Sequence, residues 1–309
     1  LNNNFGLTAA FLDSRFNLSF DFYSNTTYDM LMSVNLPPSV GTTSMNVNFG
    51  QLNNKGLDLS LSAQIIRNKD WFWSMTLTGG HVMDQIRKIS QGLKNDIDNP
   101  YDSSKPKILF VEGGSQYDIY AMRSAGIDPA TGKEIFIKKN GEYTFNYDEK
   151  ERVAVGNTNP ILQGSLMNTL RYKGFSISVA TSYTFGSDYF NSTLKNKVEN
   201  IDLNYNVDRR VFTDRWKEPG DHTRFLGIGT SSSSSQYSER FVEKRNELYI
   251  SSIQVMYDFA PKAITRLGLR KLAIGFGLSD IAHISTVKFE RGTDYPYCRG
   301  INLIFRPTF

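Results

Sequence analysis

Y-C-R-G-I-N-L-I-F-R-P-T-F, residues 297–309, alternates apolar and polar positions up to its final phenylalanine. Successive side chains of an extended strand point to opposite faces, so Ile301, Leu303, Phe305 and Phe309 share one face. Asn302 and Arg306 take the other face, with Ile304 as the one apolar exception. A half-apolar strand is ordinary by itself. It carries weight here because the same alternation recurs upstream, strand after strand.

Phe5, Leu7, Ala9 and Phe11 oppose Gly6, Thr8 and Ala10, and a tight turn at Asp13-Ser14 leads to Phe16, Leu18, Phe20 and Phe22. A long loop is expected from Tyr28 to about Asn54, with Pro37, Pro38 and Gly41 as breakers. Leu57, Leu59, Leu61, Ala63 and Ile65 then alternate with Asp58, Ser60, Ser62 and Gln64. After a turn at Asn68-Lys69-Asp70, Trp71, Trp73, Met75 and Leu77 oppose Phe72, Ser74, Thr76 and Thr78. Residues from about Gln85 to Leu162 read as one large excursion with short hairpins, marked by Gly113-Gly114, Asp128–Gly132 and Lys139–Gly141. Strands over Gln163–Tyr172 and Phe175–Phe185 flank a Lys173-Gly174 turn. A second long loop, about Asn191 to Arg245, contains the run Ser231–Ser235, which reads as a mobile tip. Tyr249–Phe259 and Leu272–Leu278 alternate again around a turn at Pro261–Arg270, and a last loop over Ser279–Pro296 precedes the terminal strand.

Composition narrows what such a chain can be. No apolar run approaches the roughly 18 to 20 residues that a membrane helix needs. A membrane barrel gives a far weaker signal per strand and stays open. Aromatics are 13% of the 309 residues, suited to strands and interfacial girdles. The net charge of +4 and the lack of a basic cluster interleaved with aromatics argue against nucleic acid as a partner. Cys298 is the single cysteine, so an intrachain disulfide and a thiolate metal cluster are excluded. It reads as a small buried residue at a strand start. Leu1–Phe5 reads as the beginning of a strand and not as an export signal, so further residues are expected upstream.

The non-apolar faces separate two architectures. They carry mainly Ser, Thr, Asn, Gln, Gly and Asp, whereas the solvent face of a β-sandwich more often carries charge. A membrane barrel turns apolar side chains to lipid and polar ones to a wet lumen. The fold class expected is therefore all-β, an antiparallel transmembrane β-barrel with nine strands in this chain and long extracellular loops. Aromatics near strand ends, among them Trp71, Trp73, Tyr189 and Tyr257, suit interfacial belts.

A set of short motifs then resembles one family. N-K-G-L-D (54–58) leading to W-F-W (71–73), G-I-D-P-A-T-G (126–132) and Y-K-G-F (172–175) are similar to elements of the SusC/RagA-like TonB-dependent transporters of Bacteroidota. So are R-W-K-E-P-G-D (215–221), E-L-Y-I (247–250) and Tyr295-Pro296 before an aromatic terminal strand. Each is weak alone, but their order from about residue 50 to 309 is specific. The loop before Tyr295 lacks the family's Asp-Pro-Glu element, and Pro307 sits inside the final strand, where a missing N–H is tolerable at a bulge or a strand end. The ending also resembles the last strand of bacterial outer-membrane barrels, which implies an assembly signal at Phe305 and Phe309.

The resemblance implies a plugged barrel of about 22 strands. Residues 1–309 would be the C-terminal part of one such domain, with the plug and earlier strands outside them. It implies a location in the Gram-negative outer membrane and active import of a bulky nutrient, an oligosaccharide or a peptide. The implied partners are a SusD-like surface lipoprotein, the TonB complex acting through other parts of the protein, and outer-membrane lipid. Two other readings stand beside it: a barrel with a structural or assembly role, and an outer-membrane barrel enzyme.

No cofactor and no catalytic group is expected, since no nucleophile motif appears. His81, His222 and His283 are not spaced as metal ligands. Asp96, Asp98 and Asp102 suit calcium chemistry, with a solvated loop as the plainer account. Arg215, Trp216, Pro219, Gly220 and Asp221 are the candidate contacts to a partner or substrate; the competing reading is a motif that packs its loop onto the rim.

Overall fold

The computed structural model describes residues 1–35, 41–42, 44–89, 110–201, 204, 206–229, 237–265, 268–288 and 298–309. The strands are β1 (Asn2–Phe11), β2 (Phe16–Asn35), β3 (Ser44–Arg67), β4 (Trp71–Ile89), β5 (Asp118–Ala121), β6 (Arg123–Ile127) and β7 (Glu134–Ile137). They continue as β8 (Tyr143–Thr144), β9 (Val153–Asn157), β10 (Leu162–Tyr172), β11 (Phe175–Phe190), β12 (Val242–Asp258), β13 (Lys271–Ser285) and β14 (Gly300–Thr308). Nine of them form one sheet in the order β1-β2-β3-β4-β10-β11-β12-β13-β14, with every neighbour antiparallel. The small strands form a β5-β9 pair and a β6-β7-β8 sheet, both inside the excursion between β4 and β10.

Register sorts the side chains into two faces. Residues paired across antiparallel strands share a face, so Leu7, Phe20 and Leu59 line up in one row. Ile177, Val255, Phe276 and Leu303 make another. This apolar face is uncovered: Leu59 is 40% exposed and Leu303 86%. The opposite face carries the row Thr8-Ser19-Ser60-Thr78-Ser165-Ser182. Its hydroxyls meet one another, Thr78 and Ser165 at 2.8 Å and Ser62 and Thr76 at 3.2 Å. Apolar surface open on one side and hydroxyls on the other is the inverse of a soluble sandwich, and it suits a wall between lipid and a wet lumen. No helix among the described residues is long and apolar enough to cross a membrane, a fact that does not bear on crossing by strands.

On the apolar face the hydroxyl of Tyr183 donates to the Thr78 carbonyl at 2.7 Å and lies beside Gly79 and Gly164. A Cβ on Gly164 would stand 1.9 Å from that same carbonyl oxygen. The glycine is what lets β4 and β10 pair there.

Several expected boundaries are corrected. The loop expected over Tyr28–Asn54 is mostly strand: β2 runs to Asn35, β3 starts at Ser44, and the two pair out to Asn35↔Ser44 with bulges near Met30. Pro37 and Pro38 lie outside the described residues, and Gly41 takes a φ of +80°. Likewise β4 persists to Ile89, β12 begins at Val242, and β13 extends to Ser285, each further from the short turns than the alternation reaches. The terminal strand starts at Gly300, and Pro307 is its penultimate residue, at a strand end where its missing N–H is tolerated. Cys298 is exposed, not buried, and it precedes the strand.

The connections at the two ends differ in length with one exception. Residues 12–15, 68–70, 173–174 and 259–270 join strands at one end; at the other, 90–161, 191–241 and 286–299 are longer, while 36–43 alone join β2 to β3. Barrels of the outer membrane place short turns in the periplasm and long loops outside. Asp96, Asp98, Asp102, Ser231–Ser235 and Tyr295-Pro296 lie outside the described residues.

Candidate functional site: the interlocked outer excursions

The R-W-K-E-P-G-D segment is folded onto the turn Asp128–Gly132, a contact between two motifs that are separate in sequence. The turn forms because the Asp128 carboxylate accepts from Ala130 N at 3.1 Å and from Thr131 Oγ1 at 2.6 Å. These hydrogen bonds, that from Thr131 first, hold its pKa below the usual carboxylate range. Gly132 follows at φ +68°, and a Cβ there would come within 2.4 Å of the Trp216 ring. Trp216 Nε1 donates to Pro129 O at 2.9 Å, and Gly220 N donates to the same oxygen at 2.9 Å. Asp221 closes its own turn by accepting from Lys217 N at 3.0 Å and Glu218 N at 3.2 Å.

Arg215 is turned inward and only 6% exposed. Its guanidinium donates to Leu226 O (2.7 Å), Val198 O (3.1 Å), Glu199 O (2.8 Å) and Gly227 O (3.2 Å). Burial draws its pKa down, and the Glu199 charge opposes that. The guanidinium therefore gathers loop carbonyls, while Lys217, Glu218, Pro219 and Gly220 form the exposed rim of the motif.

Behind this motif lies a charged group without a sequence signature. Arg240 NH2 meets Glu134 Oε2 and Glu199 Oε1, both at 2.7 Å, and NH1 meets Glu199 Oε2 at 2.9 Å. The three side chains are 7%, 5% and 1% exposed. The partners stand 41 and 106 residues from Arg240, so no local spacing could have found them. Beside them Leu194, Val198, Phe225 and Phe241 form a small apolar core, with Phe190 packed against it.

Carboxylates fasten the first excursion to the sheet. Asp84 on β4 accepts from Ser115 Oγ and from Gln116 N (2.7 Å). Asp188 on β11 accepts from Asn157 N at 2.9 Å and pairs with Lys244 at 2.7 Å. Asp118 bridges Ser115 N (2.9 Å) and Asn157 Nδ2 (2.8 Å).

The sequence-predicted aromatics divide between the two ends. Trp71 packs on Tyr172 with ring centroids 4.2 Å apart, and Tyr257 on Phe175 at 4.5 Å, both at the short-turn end. Trp73 lies one step along the apolar face, opposite Leu170. Tyr189 is at the far end, paired with Glu243 among the excursions. Phe305 sits on the apolar face opposite Ile274, and Phe309 lies just past the end of β14.

The wet face holds a shallow hollow of about 330 Å³ lined by Ser19, Asp21, Asp58, Thr78, Gly80 and Gln163, among others. His283 is 3.7 Å from Glu247, His81 shares the apolar face with Leu57, and His222 is exposed. Among the described residues no three His, Cys, Asp or Glu side chains are grouped to hold a metal.

An antiparallel wall, apolar outside, hydroxylated inside and capped by long outer excursions, defines a transmembrane barrel of the outer membrane. Residues 1–208 match the family described as TonB dependent receptor-like, beta-barrel, and the chain belongs to that family. It is 25% identical to TonB-dependent receptor P39 of Formosa agariphila over 90% of this chain and 31% of that protein. It is also 25% identical to TonB-dependent receptor SusC of Bacteroides thetaiotaomicron, over 83% of this chain and 25% of that one. Among solved structures, that of the RagAB peptide transporter superposes with a TM-score of 0.77 at 23% identity, covering 93% of this chain and 32% of the other. The chain thus spans a third or less of these curated relatives. It is an outer-membrane protein that resembles SusC/RagA-like receptors in sequence and fold.

Proposed function

We propose that residues 1–309 are the C-terminal part of one plugged barrel domain. That domain would import a bulky nutrient, an oligosaccharide or a peptide, with energy from the TonB complex. A SusD-like surface lipoprotein would close over it. In this reading the chain performs no covalent chemistry and supplies wall, rim and docking surface. One observation carries the proposal: the described residues of the two long excursions fold into a mutually bonded mass on the side opposite the short turns. Ordering that much chain is costly, and long ordered loops are usually functional. The exposed rim Lys217–Gly220 would meet lipoprotein or substrate, with Arg215, Trp216 and Asp221 holding it from behind. Phe305 and Phe309 would serve as the assembly signal.

The test is made in the outer membrane with the protein as cells produce it. Shortening an excursion, or replacing Lys217, Glu218 and Pro219 by alanine, should leave the barrel folded and surface-exposed. Co-purification of the lipoprotein, or uptake, should fall. If all these variants keep both, the importer reading loses its docking surface.

A further inference from the structure

We propose that the short-turn end of the wall binds the headgroups of anionic phospholipids in the leaflet it meets, through a rim of cations set just beyond an aromatic collar. The collar lies on the apolar face. Trp71 packs on Tyr172 with ring centroids 4.2 Å apart, Phe175 on Tyr257 at 4.5 Å, and Tyr257 on Phe259 at 4.9 Å. Tyr172 and Phe175 face each other across β10 and β11, so the two groups of rings are neighbours. Amphipathic rings at the end of a spanning strand settle at headgroup depth. The connections beyond them are laced side by side: Lys173 N donates to Asp70 O at 2.9 Å, and Asp258 N to Gly174 O at 2.8 Å. Side chains leaving these connections on the lipid side therefore emerge among phosphates.

The charged side chains there are mostly basic. The described residues of the four connections carry Arg15, Lys69, Lys173, Lys262 and Arg270 against Asp13 and Asp70. Two of the cations are placed on the lipid side by what lies beside them. Lys173 Nζ stands 5.2 Å from the centroid of the Tyr172 ring, itself part of the collar. Lys262 is exposed on the short helix Pro261–Ile264, which packs on β13. Ile264 of that helix and Leu272 on the apolar face are 2% and 8% exposed, whereas Ile274, two residues along the same face, is 43% exposed, so the helix lies outside the wall. Lys69 is exposed in the turn to which Lys173 is bonded. Among the described residues none of the five cations is in an ion pair, whereas at the opposite end Lys138 pairs with Glu142, Arg224 with Glu243 and Lys244 with Asp188. Cations without carboxylate partners at headgroup depth complement phosphate, and each one near an anionic surface strengthens binding roughly five-fold. A zwitterionic headgroup sets an ammonium beside its phosphate and gains little. The collar decides between occupants, since an acidic protein segment has no use for rings at the hydrocarbon boundary.

This inference is independent of the import reading, since it needs only the wall in a membrane. The protein as cells produce it is purified in detergent and offered phosphatidylglycerol and phosphatidylethanolamine in equal amounts, and the retained lipids are identified by native mass spectrometry. Phosphatidylglycerol should be favoured at least about ten-fold. Molar salt, which shortens the screening length to about 3 Å, should abolish the preference. Replacing Lys69, Lys173 and Lys262 together by glutamine should remove most of it, whereas the same change at Lys138, Lys139 and Lys150 in the first excursion should leave it intact. Equal retention of the two lipids by the native protein, indifference to salt, or equal losses in both triple variants would overturn the proposal. So would a preference that survives the first triple variant, including the case where an acidic protein stops co-purifying instead. If that variant fails to assemble, Lys173→Gln and Lys262→Gln are made singly; each should lower the preference roughly five-fold, and no decrease in either overturns the lipid seat.

Discussion

Gly164 has no room for a methyl group, because the Thr78 carbonyl fills the place a Cβ would take. Gly164→Ala should force β4 and β10 apart and cost about 1–3 kcal/mol of folding free energy, as overpacking does. Gly277→Ala, whose nearest neighbour would be at 3.8 Å, should be neutral. Comparing the folded fraction of the two variants in detergent checks both. Asp208 gives a pH-dependent case. Side-chain hydrogen bonding from Arg210, at 2.6 Å and 2.9 Å, lowers its pKa to about 2. A depressed carboxylate stabilises its fold above the unfolded value near 4 and loses that support as pH falls through the folded one. The turn Arg210–Thr213 should therefore resist proteolysis unchanged down to about pH 4 and weaken between pH 4 and 2; weakening at pH 5 to 6 would refute this. At this scale the sequence was partly legible. Arg215 and Trp216 stood out because their spacing matches a known motif. Glu134, Glu199 and Arg240 did not, since three ordinary charges become a group only when the chain brings them together.

Strands were legible where one face meets lipid. On β2 the alternation Phe16, Leu18, Phe20, Phe22 ends with the apolar band, yet the strand continues to Asn35. Its 20 residues span roughly 68 Å at about 3.4 Å each, far beyond a band about 25 Å tall. Tyr28, Met30, Met32 and Val34 still alternate there, but Pro37, Pro38 and Gly41 close behind mark the segment as a loop. Within the band the faces are unequal. Leu59→Arg should destabilise by about 2–4 kcal/mol near the midplane, whereas Ser60→Arg, facing the lumen, should cost far less. Urea titrations in lipid vesicles would separate the two, and equal losses would mean that the faces are wrongly assigned.

At the scale of the whole molecule, strand number and sidedness were legible from the strand alternation together with connection lengths, although the β2–β3 connection, 36–43, is shorter than 259–270 at the opposite end. The packing of the excursions was not, since it joins segments about a hundred residues apart. Sidedness makes a direct prediction. A peptide tag inserted within Ser231–Ser235, in the second excursion, should bind antibody on intact cells, and binding only after permeabilisation would invert the topology. The wet face carries one further meaning. Its rows of serine and threonine donate and accept hydrogen bonds much as water does, so a polar molecule sliding along them exchanges like for like. Traffic needs binding weak enough for departure. In the import reading proposed above, the hydroxyl rows would discriminate little between polar cargoes, and the choice would fall to the wet-face carboxylates Asp21 and Asp58 and to the surfaces that guard the mouth.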